Sequence, residues 1–315
     1  MLSAAAPELS IVVATRNRAA FLPELLHSLE IALAAAPIPA EIVIVDNGST
    51  DATARVAREW LERLPGLVYL LEAQPGKSRA LNRGLAVTRA PLLAFVDDDV
   101  CVAADWIQAV LDFFAHHPEY DAGGGRVRLA RDVTDPELLA RVAGYRSLPL
   151  YDGGDDVHDL RGLAGCNMAV RRPVVDIVGL FNERLGPGAS GAHEDADYSE
   201  RIHAANLTIG YMPGAIVYHA VDPARFTPAS FRDFQQRMAR SLYALDPLHA
   251  WRKSAGRLPG ILIAFLWWSL LRNPTRRTRQ LGRLIQHSEV LRQRWHDGWT
   301  PRAPAVDWPA LKRKT

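Results

Sequence analysis

The chain has 315 residues, 48% hydrophobic and 23% charged, which is an ordinary globular composition and enough for about two domains or one large one. A disordered chain, a collagen and a disulfide-stapled miniprotein are excluded, and two cysteines, Cys101 and Cys166, are too few for a disulfide framework or a zinc ribbon and fit a reducing cytosol. The net charge of +2 divides unevenly, −11 over residues 1–224 and +13 over residues 225–315, so the basic end is expected to meet an anionic partner unless it is merely a solvated face.

Met1-Leu2-Ser3 carries no basic n-region, and the first apolar run breaks at Pro7-Glu8, which argues against a secretory signal. Ser10–Ala14 is a short β-branched run that reads as a buried strand. Leu22, Leu25, Leu26, Leu29 and Leu33 recur at helical spacing, and Glu41–Val45 is a second strand ending at Asp46. Asn47-Gly48 predicts a turn, with Ser49 or Thr50 capping a helix to about Leu64. A third strand, Leu67–Leu71, a helix over Ser78–Thr88 and a fourth strand, Pro91–Val96, follow. Strands alternating with helices, and apolar without interruption, imply an α/β fold with a mostly parallel sheet covered on both faces.

From about residue 120 the pattern loosens. Gly123-Gly124-Gly125 and Gly153-Gly154-Asp155-Asp156 read as loops and short antiparallel pieces, where an acceptor pocket is often built. No internal repeat is present. After Pro228 a basic helical stretch leads into the apolar run Leu258–Leu271, which as a helix covers roughly 21 Å, short of the ~30 Å hydrocarbon core.

Ligands of parallel sheets bind outside the carboxyl ends of the strands. There the sequence gathers Thr15-Arg16-Asn17-Arg18, Asp46-Asn47-Gly48-Ser49 and Asp97-Asp98-Asp99. No Gly-x-Gly-x-x-Gly or Gly-Lys-Ser/Thr loop follows the first strand, which weighs against dinucleotide and P-loop sites. In an extended segment Asp97 and Asp99 would face one site. Three adjacent carboxylates repel, and a divalent cation shared with substrate phosphates would relieve them. The alternative is a helix N-terminus whose dipole the acids complement.

Six segments, in order and at matching spacing over roughly residues 8–220, resemble the family 2 glycosyltransferases. They are Thr15–Arg18, Ile44–Asp51, Gly76–Gly84, Phe95–Asp99, Gly165–Arg172 and Glu194–Arg201. The resemblance implies a GT-A fold and a mostly inverting, metal-dependent transfer of a sugar from a nucleotide-diphosphate donor to an acceptor hydroxyl. It implies that Thr15, Asp46, Arg79, Asp97 and Asp98 bind the nucleotide sugar, and that Gly165, Cys166, Asn167 and Glu194 line the acceptor side. Asp99 would bind Mg²⁺ or Mn²⁺, joined by His219, and Asp195 would be the catalytic base. Bland alternatives stand beside these roles: Asp46 as a turn former, Arg79 as a solvated helix residue, and His219 as a hydrogen-bonded histidine. Asp195 competes with His193 as base, while Asp197–Arg201 reads as an i,i+4 structural pair. A positioned base contributes ~10²–10⁴-fold, and a metal that neutralises the leaving diphosphate removes the need for an acid.

Residues 252–294 hold ten Lys/Arg against Glu289 alone, around an apolar run containing Trp267-Trp268. That pattern fits a helix lying in the headgroup region of an anionic leaflet, or one packed against the catalytic domain or a second subunit. No nucleic-acid module accompanies the charge. The expectation is a GT-A domain over residues 1–222 and a helical, basic, membrane-associating region over 223–315, peripheral at the cytoplasmic face, with a lipid-linked or cell-envelope glycan as acceptor. A metal-dependent nucleotidyltransferase and a non-catalytic nucleotide-binding membrane adaptor are the competing readings.

Overall fold

A computed structural model of the chain describes residues 6–36, 38–130 and 132–297. The opening Met1-Leu2-Ser3 and residues 298–315 of the basic region lie outside the described residues. The first half alternates β1 (Leu9–Thr15), α1 (Leu22–Ala35), β2 (Ala40–Asp46), α2 (Thr53–Trp60), β3 (Leu67–Leu71), α3 (Lys77–Leu85) and β4 (Leu92–Val96). These four strands are parallel neighbours in the order β3-β2-β1-β4.

The unbroken apolar character of β1 follows from burial on both faces. Leu9, Ile11 and Val13 join Leu22, Leu25, Leu26 and Leu29 of α1 in one core, while Val12 meets Leu81 and Leu85 of α3 and Phe95 in another. Each fully buried leucine contributes about 1.5–3 kcal/mol relative to exposure. The register pairs Thr15 with Asp46, so β1 and β2 end at one level.

Beyond β4 the sheet turns antiparallel. After β5 (Val100–Val102) come α4 (Trp106–His116), β6 (Ala122–Leu129), α5 (Pro136–Tyr145), β7 (Asn167–Arg171), α6 (Arg172–Val178), α7 (Glu194–Ala204) and β8 (Ile209–His219). The eight-stranded order is β3-β2-β1-β4-β7-β6-β8-β5, with β4–β7, β7–β6 and β8–β5 antiparallel and β6–β8 parallel.

One expectation holds in part and one needs correction. Gly123–Gly125 form no loop, but they lie in an antiparallel piece, since Gly123 and Gly124 of β6 pair antiparallel with β7. A Cβ on Gly125 would stand 2.2 Å from Asn167 Nδ2, and one on Gly123 would stand 2.6 Å from Met212 Sδ. Glycine here permits close packing between strands rather than a turn. Nor do Ser49 and Thr50 cap α2, whose first turn is served by Asp51, accepting from the Thr53 N–H at 2.9 Å. Ser49 Oγ instead accepts from Asn17 N–H, and Thr50 N–H donates to Asn17 Oδ1, tying the loops after β1 and β2 together.

After β8 a single 3₁₀ turn, Pro223–Phe226, leads to α8 (Pro228–Leu245), α9 (Pro247–Leu270) and α10 (Pro274–His296). Each of these helices opens with proline after a side-chain cap: Thr227, Asp246 and Asn273 accept from the N–H groups of Ser230, His249 and Arg276. That pairing of cap and proline sets all three N-termini from local sequence alone. The layer has a small core of its own, Ala239, Tyr243, Ala250 and Val290. Among the described residues no helix is long and apolar enough to cross a membrane.

Candidate active site

The carboxyl ends of β1, β2 and β4 open on a cavity of about 480 Å³. Its floor carries Thr15, Arg18, Asn47, Lys77 and the acidic turn Asp97–Asp99, and its opposite wall carries Gly165, Cys166, Glu194, Asp195 and His219. Arg225 of the 3₁₀ turn, Phe234 and Met238 of α8 and Arg146–Pro149 after α5 complete it.

Local hydrogen bonds explain how Lys77 comes to stand there. Asn47 Nδ2 donates to the carbonyls of Glu72 and Gln74, and its Oδ1 accepts from Gly76 N–H at 2.7 Å, so one side chain shapes the approach to α3. Gly76 sits at φ +141°, a conformation that favours glycine. Ser78 Oγ then donates to the Leu185 carbonyl, and Asn82 exchanges two bonds with the Phe181 backbone. Helix α3 is thereby pinned to the segment that leads into α7.

The three aspartates lie in a turn between β4 and β5, not in the extended arrangement expected. Each finds a cation. Lys77 Nζ stands 2.6 Å from Asp97 Oδ1 and 3.2 Å from Glu194 Oε1. Arg18 lies 3.4 Å from both Asp98 and Asp99, and Arg225 Nη1 lies 2.9 Å from Asp99 Oδ2. The repulsion read from the sequence is therefore already partly balanced by the chain's own basic groups. Burial resists ionisation of Asp97, but Lys77, His219 and Arg225 outweigh it and hold the carboxyl below its ordinary range. Asp98 goes the other way: burial, then the neighbouring Asp99, push it up to about 7 against the pull of Arg18 and of Thr15. Burial would lower Lys77, yet Asp97 and Glu194 raise it well above an ordinary lysine. Glu194 is raised, by burial first, with Asp195 adding to it and Lys77 opposing.

Asp195 stands in the first turn of α7. Its Oδ2 accepts from Gly165 N–H at 3.0 Å and its Oδ1 from Ala196 N–H at 2.8 Å. Two backbone donors and the positive end of a helix hold it as an oriented carboxylate at the cavity wall. His193, its rival, caps α7 at φ +70°, and burial holds its imidazole below the usual range. Asp197 pairs with Arg201 at 2.9 Å, away from the cavity lining.

His219 Nδ1 lies 2.8 Å from the Ala220 carbonyl, which can only accept, so Nδ1 carries the proton. Its Nε2 faces Asp99 Oδ1 at 3.6 Å. That nitrogen and the carboxylate oxygen stand close enough to share a cation between them. Among the described residues no group of three or more His, Cys, Asp or Glu side chains forms a complete metal shell. A carboxylate and an imidazole nonetheless suit a Mg²⁺ or Mn²⁺ ion whose other positions are filled by water and phosphate.

Three predicted residues are not brought to the cavity lining. Asp46 is 1% exposed, and its two oxygens accept from Ser49 N–H and Tyr69 O–H, each at 2.8 Å. Arg79 pairs with Glu183 and Gln74, each at 2.8 Å, on the outer side of α3. Asn167 is a core residue: Nδ2 donates to the carbonyls of Arg126 and Ala215, and Oδ1 accepts from Trp106 Nε1. Its side chain ties β7 to β6 and β8 and has no atom free to face an acceptor. Conversely, Arg18, Lys77 and Arg225 were not singled out as site residues. The first two sit within the resembling segments, but Arg225, 126 residues from its partner Asp99, carries no local signal.

The family model described as Glycosyl transferase family 2 matches residues 10–177. The succinoglycan biosynthesis protein ExoM of Rhizobium meliloti is 28% identical over 239 residues, covering 74% of this chain and 75% of that protein. The beta-monoglucosyldiacylglycerol synthase of Synechocystis is 26% identical over 218 residues, 65% of this chain but only 42% of the synthase. The mannosyltransferase PcManGT of Pyrobaculum calidifontis, solved with GDP-Man and Mn²⁺, superposes with a TM-score of 0.55 at 19% identity, covering 98% of this chain and 79% of that one. The fold is that of the GT-A glycosyltransferases.

Proposed function

This chain belongs to glycosyl transferase family 2, and from that premise we propose that it is an inverting transferase that moves a sugar from a nucleoside diphosphate to an acceptor hydroxyl. The observation that supports this most is the meeting, in one cavity, of an oriented carboxylate, Asp195, and a cation-balanced acidic turn, Asp97–Asp99. In this reading Asp195 takes the proton of the acceptor hydroxyl as its oxygen bonds the anomeric carbon. The bond from that carbon to the diphosphate breaks on the opposite face, and the nucleotide leaves with the electron pair. Thr15 and Asp98 bind the nucleoside side of the donor, and Gly165, Cys166 and Glu194 face the acceptor. Lys77 bridges Asp97 and Glu194. Arg225 and Arg18 hold Asp99 in place until the donor arrives. Asp99 and His219 would hold the divalent ion, which when bound offsets the charge of the diphosphate.

We assign residues 1–222 to catalysis and 223–315 to attachment at an anionic membrane on its cytoplasmic face. The support is the apolar stripe on α9, where Ile263 is 68% and Leu270 74% exposed, flanked by Arg257, Arg272 and Arg276. ExoM and the diacylglycerol synthase, one in polysaccharide synthesis and one acting on a lipid by name, make a lipid-linked or envelope glycan the acceptor we favour.

The test joins binding to turnover. A thermal-shift panel of nucleoside diphosphates with and without Mn²⁺ should find one that stabilises the chain only with the metal. Asp99→Ala should remove that shift, whereas Asp195→Asn should keep it and lose at least ~10²-fold in transfer. Full turnover by the Asp195→Asn protein removes Asp195 as base.

A further inference from the structure

Outside the catalytic cavity the C-terminal helices enclose a second, basic pocket of about 210 Å³ that shares a wall with it: Arg146, Phe234 and Met238 line both. Its far side is formed by Arg279 and Arg283 of α10. They flank Gly282, where a Cβ would stand 3.0 Å from Phe231 and 3.1 Å from Gln235, so the missing side chain lets α10 close on α8. Arg283 also lines a third recess, with Gly256, Arg257 and Gly260 of α9. Gly256, Gly260, Ile263 and Trp267 follow one another at spacings of four, three and four, and so share one helix face. Ile263 and Trp267 are largely exposed on it. One track thus leads from the Asp195 wall, past three arginines, to an exposed apolar stripe.

Among the described residues none of Arg146, Arg279 and Arg283 is ion-paired to a carboxylate, and the bond recorded for Arg283 is to the neutral Gln280 at 3.3 Å. The charge of Arg283 is felt at His287, whose ring meets Ser254 Oγ at 2.9 Å between α9 and α10. Burial, then Arg283, Arg257 and Lys253, hold that imidazole below its usual range, and no carboxylate opposes them. Arg146, Arg279 and Arg283 are exposed along one concave wall, and guanidinium groups so placed match the oxygens of a phosphate through paired N–H donors.

We propose that this pocket is a subsite for the phosphate or diphosphate of an amphiphilic acceptor, a saccharide joined through that group to a lipid. The saccharide hydroxyl then reaches Asp195 and the lipid lies along the α9 stripe. This rests on the glycosyl-transfer reading and names the acceptor class for it. The acceptor's own phosphate linkage stays intact: the only bonds exchanged are those at the donor's anomeric carbon, with the hydroxyl proton passing to Asp195.

The test uses the full chain in EDTA and farnesyl diphosphate as a soluble lipid diphosphate, titrated by calorimetry. Inorganic pyrophosphate and dihexanoyl phosphatidylglycerol serve as arms for a free phosphate and for a membrane headgroup. Farnesyl diphosphate should bind at least tenfold more tightly than either. The double variant Arg279→Gln/Arg283→Gln should weaken it at least tenfold while keeping the wild-type thermal shift with nucleoside diphosphate and Mn²⁺. Asp99→Asn should bind farnesyl diphosphate as the wild type does. The proposal is overturned if the wild type does not bind the probe, if the double variant binds it equally, or if Asp99→Asn loses it. Equal binding of either comparison ligand overturns it as well. Should the nucleotide shift be absent from the wild type while farnesyl diphosphate still binds in the expected pattern, the subsite stands and the donor reading is the one that fails.

Discussion

At the scale of single residues, the site is organised by charge pairs that cross long stretches of sequence. Lys77 is the clearest case, since its ammonium alone separates Asp97 from Glu194 and is only 17% exposed. Replacing it with methionine takes this cation from the buried Glu194 and the part-buried Asp97, and breaking such a pair costs about 3 kcal/mol. Lys77→Met should therefore show a reduced urea midpoint with unchanged m-value, and nucleotide binding should weaken with it. A midpoint equal to wild type would mean that solvent, not Lys77, balances these acids. The same scale explains which roles were readable in the sequence. Asp195, Asp97 and Asp99 were placed at the cavity because an acid beside a strand end or helix start is visible in a few consecutive letters. Asp46 and Asn167 lie outside the cavity lining, and their letters do not say whether a side chain faces the cavity or the core. Tyr69 and Trp106, their hydrogen-bond partners, decide it, and they come from other elements. Arg225 could not be found at all, because its charge acts on Asp99 only after β8 and β5 have paired.

Elements show a different limit. The parallel half was legible because burial on both faces writes continuous apolar runs, and the caps of α8, α9 and α10 are written beside their prolines. Strand β6 was legible only as one of two alternatives, loop or antiparallel piece, because three consecutive glycines ordinarily mark a turn. What holds them in a strand is the room taken by Asn167, Met212 and the Ala215 carbonyl on neighbouring strands. Gly125→Ala must therefore push β6 away from β7 and β8, and overpacking of this kind costs about 3 kcal/mol. Gly144→Ala in α5 has nothing within 4 Å of its added Cβ and replaces a poor helix former, so it should gain up to ~1 kcal/mol. Thermal unfolding of the two variants should move in opposite directions. If Gly125→Ala unfolds at the wild-type temperature, the close strand packing described here is wrong.

At the scale of the whole molecule, the acidic first part and the basic last part meet at the catalytic cavity, because Arg225, Phe234 and Met238 come from the basic part yet line it. The regions proposed for catalysis and for attachment thus share walls rather than a linker. The apolar face of α9 also exposes Leu266 at 59% and Trp267 at 55%, while arginines occupy both ends of the run. An exposed apolar stripe ringed by cations gains from two terms: burial of apolar area among acyl chains, and attraction of about 1 kcal/mol per basic residue near an anionic surface. The two respond differently to solution conditions. Salt screens the second within a Debye length of about 10 Å at 0.1 M and leaves the first almost untouched. Flotation with vesicles containing phosphatidylglycerol should therefore recover the chain at low salt and recover much less of it at 0.5 M NaCl. Neutral phosphatidylcholine vesicles should recover little at either salt. Replacing both Ile263 and Leu266 with glutamate removes apolar area and adds charge of the wrong sign, so it should abolish flotation while the metal-dependent nucleotide shift persists. Flotation by the glutamate variant at wild-type yield would mean that this stripe covers a protein surface instead, and the membrane assignment of residues 223–315 would be lost.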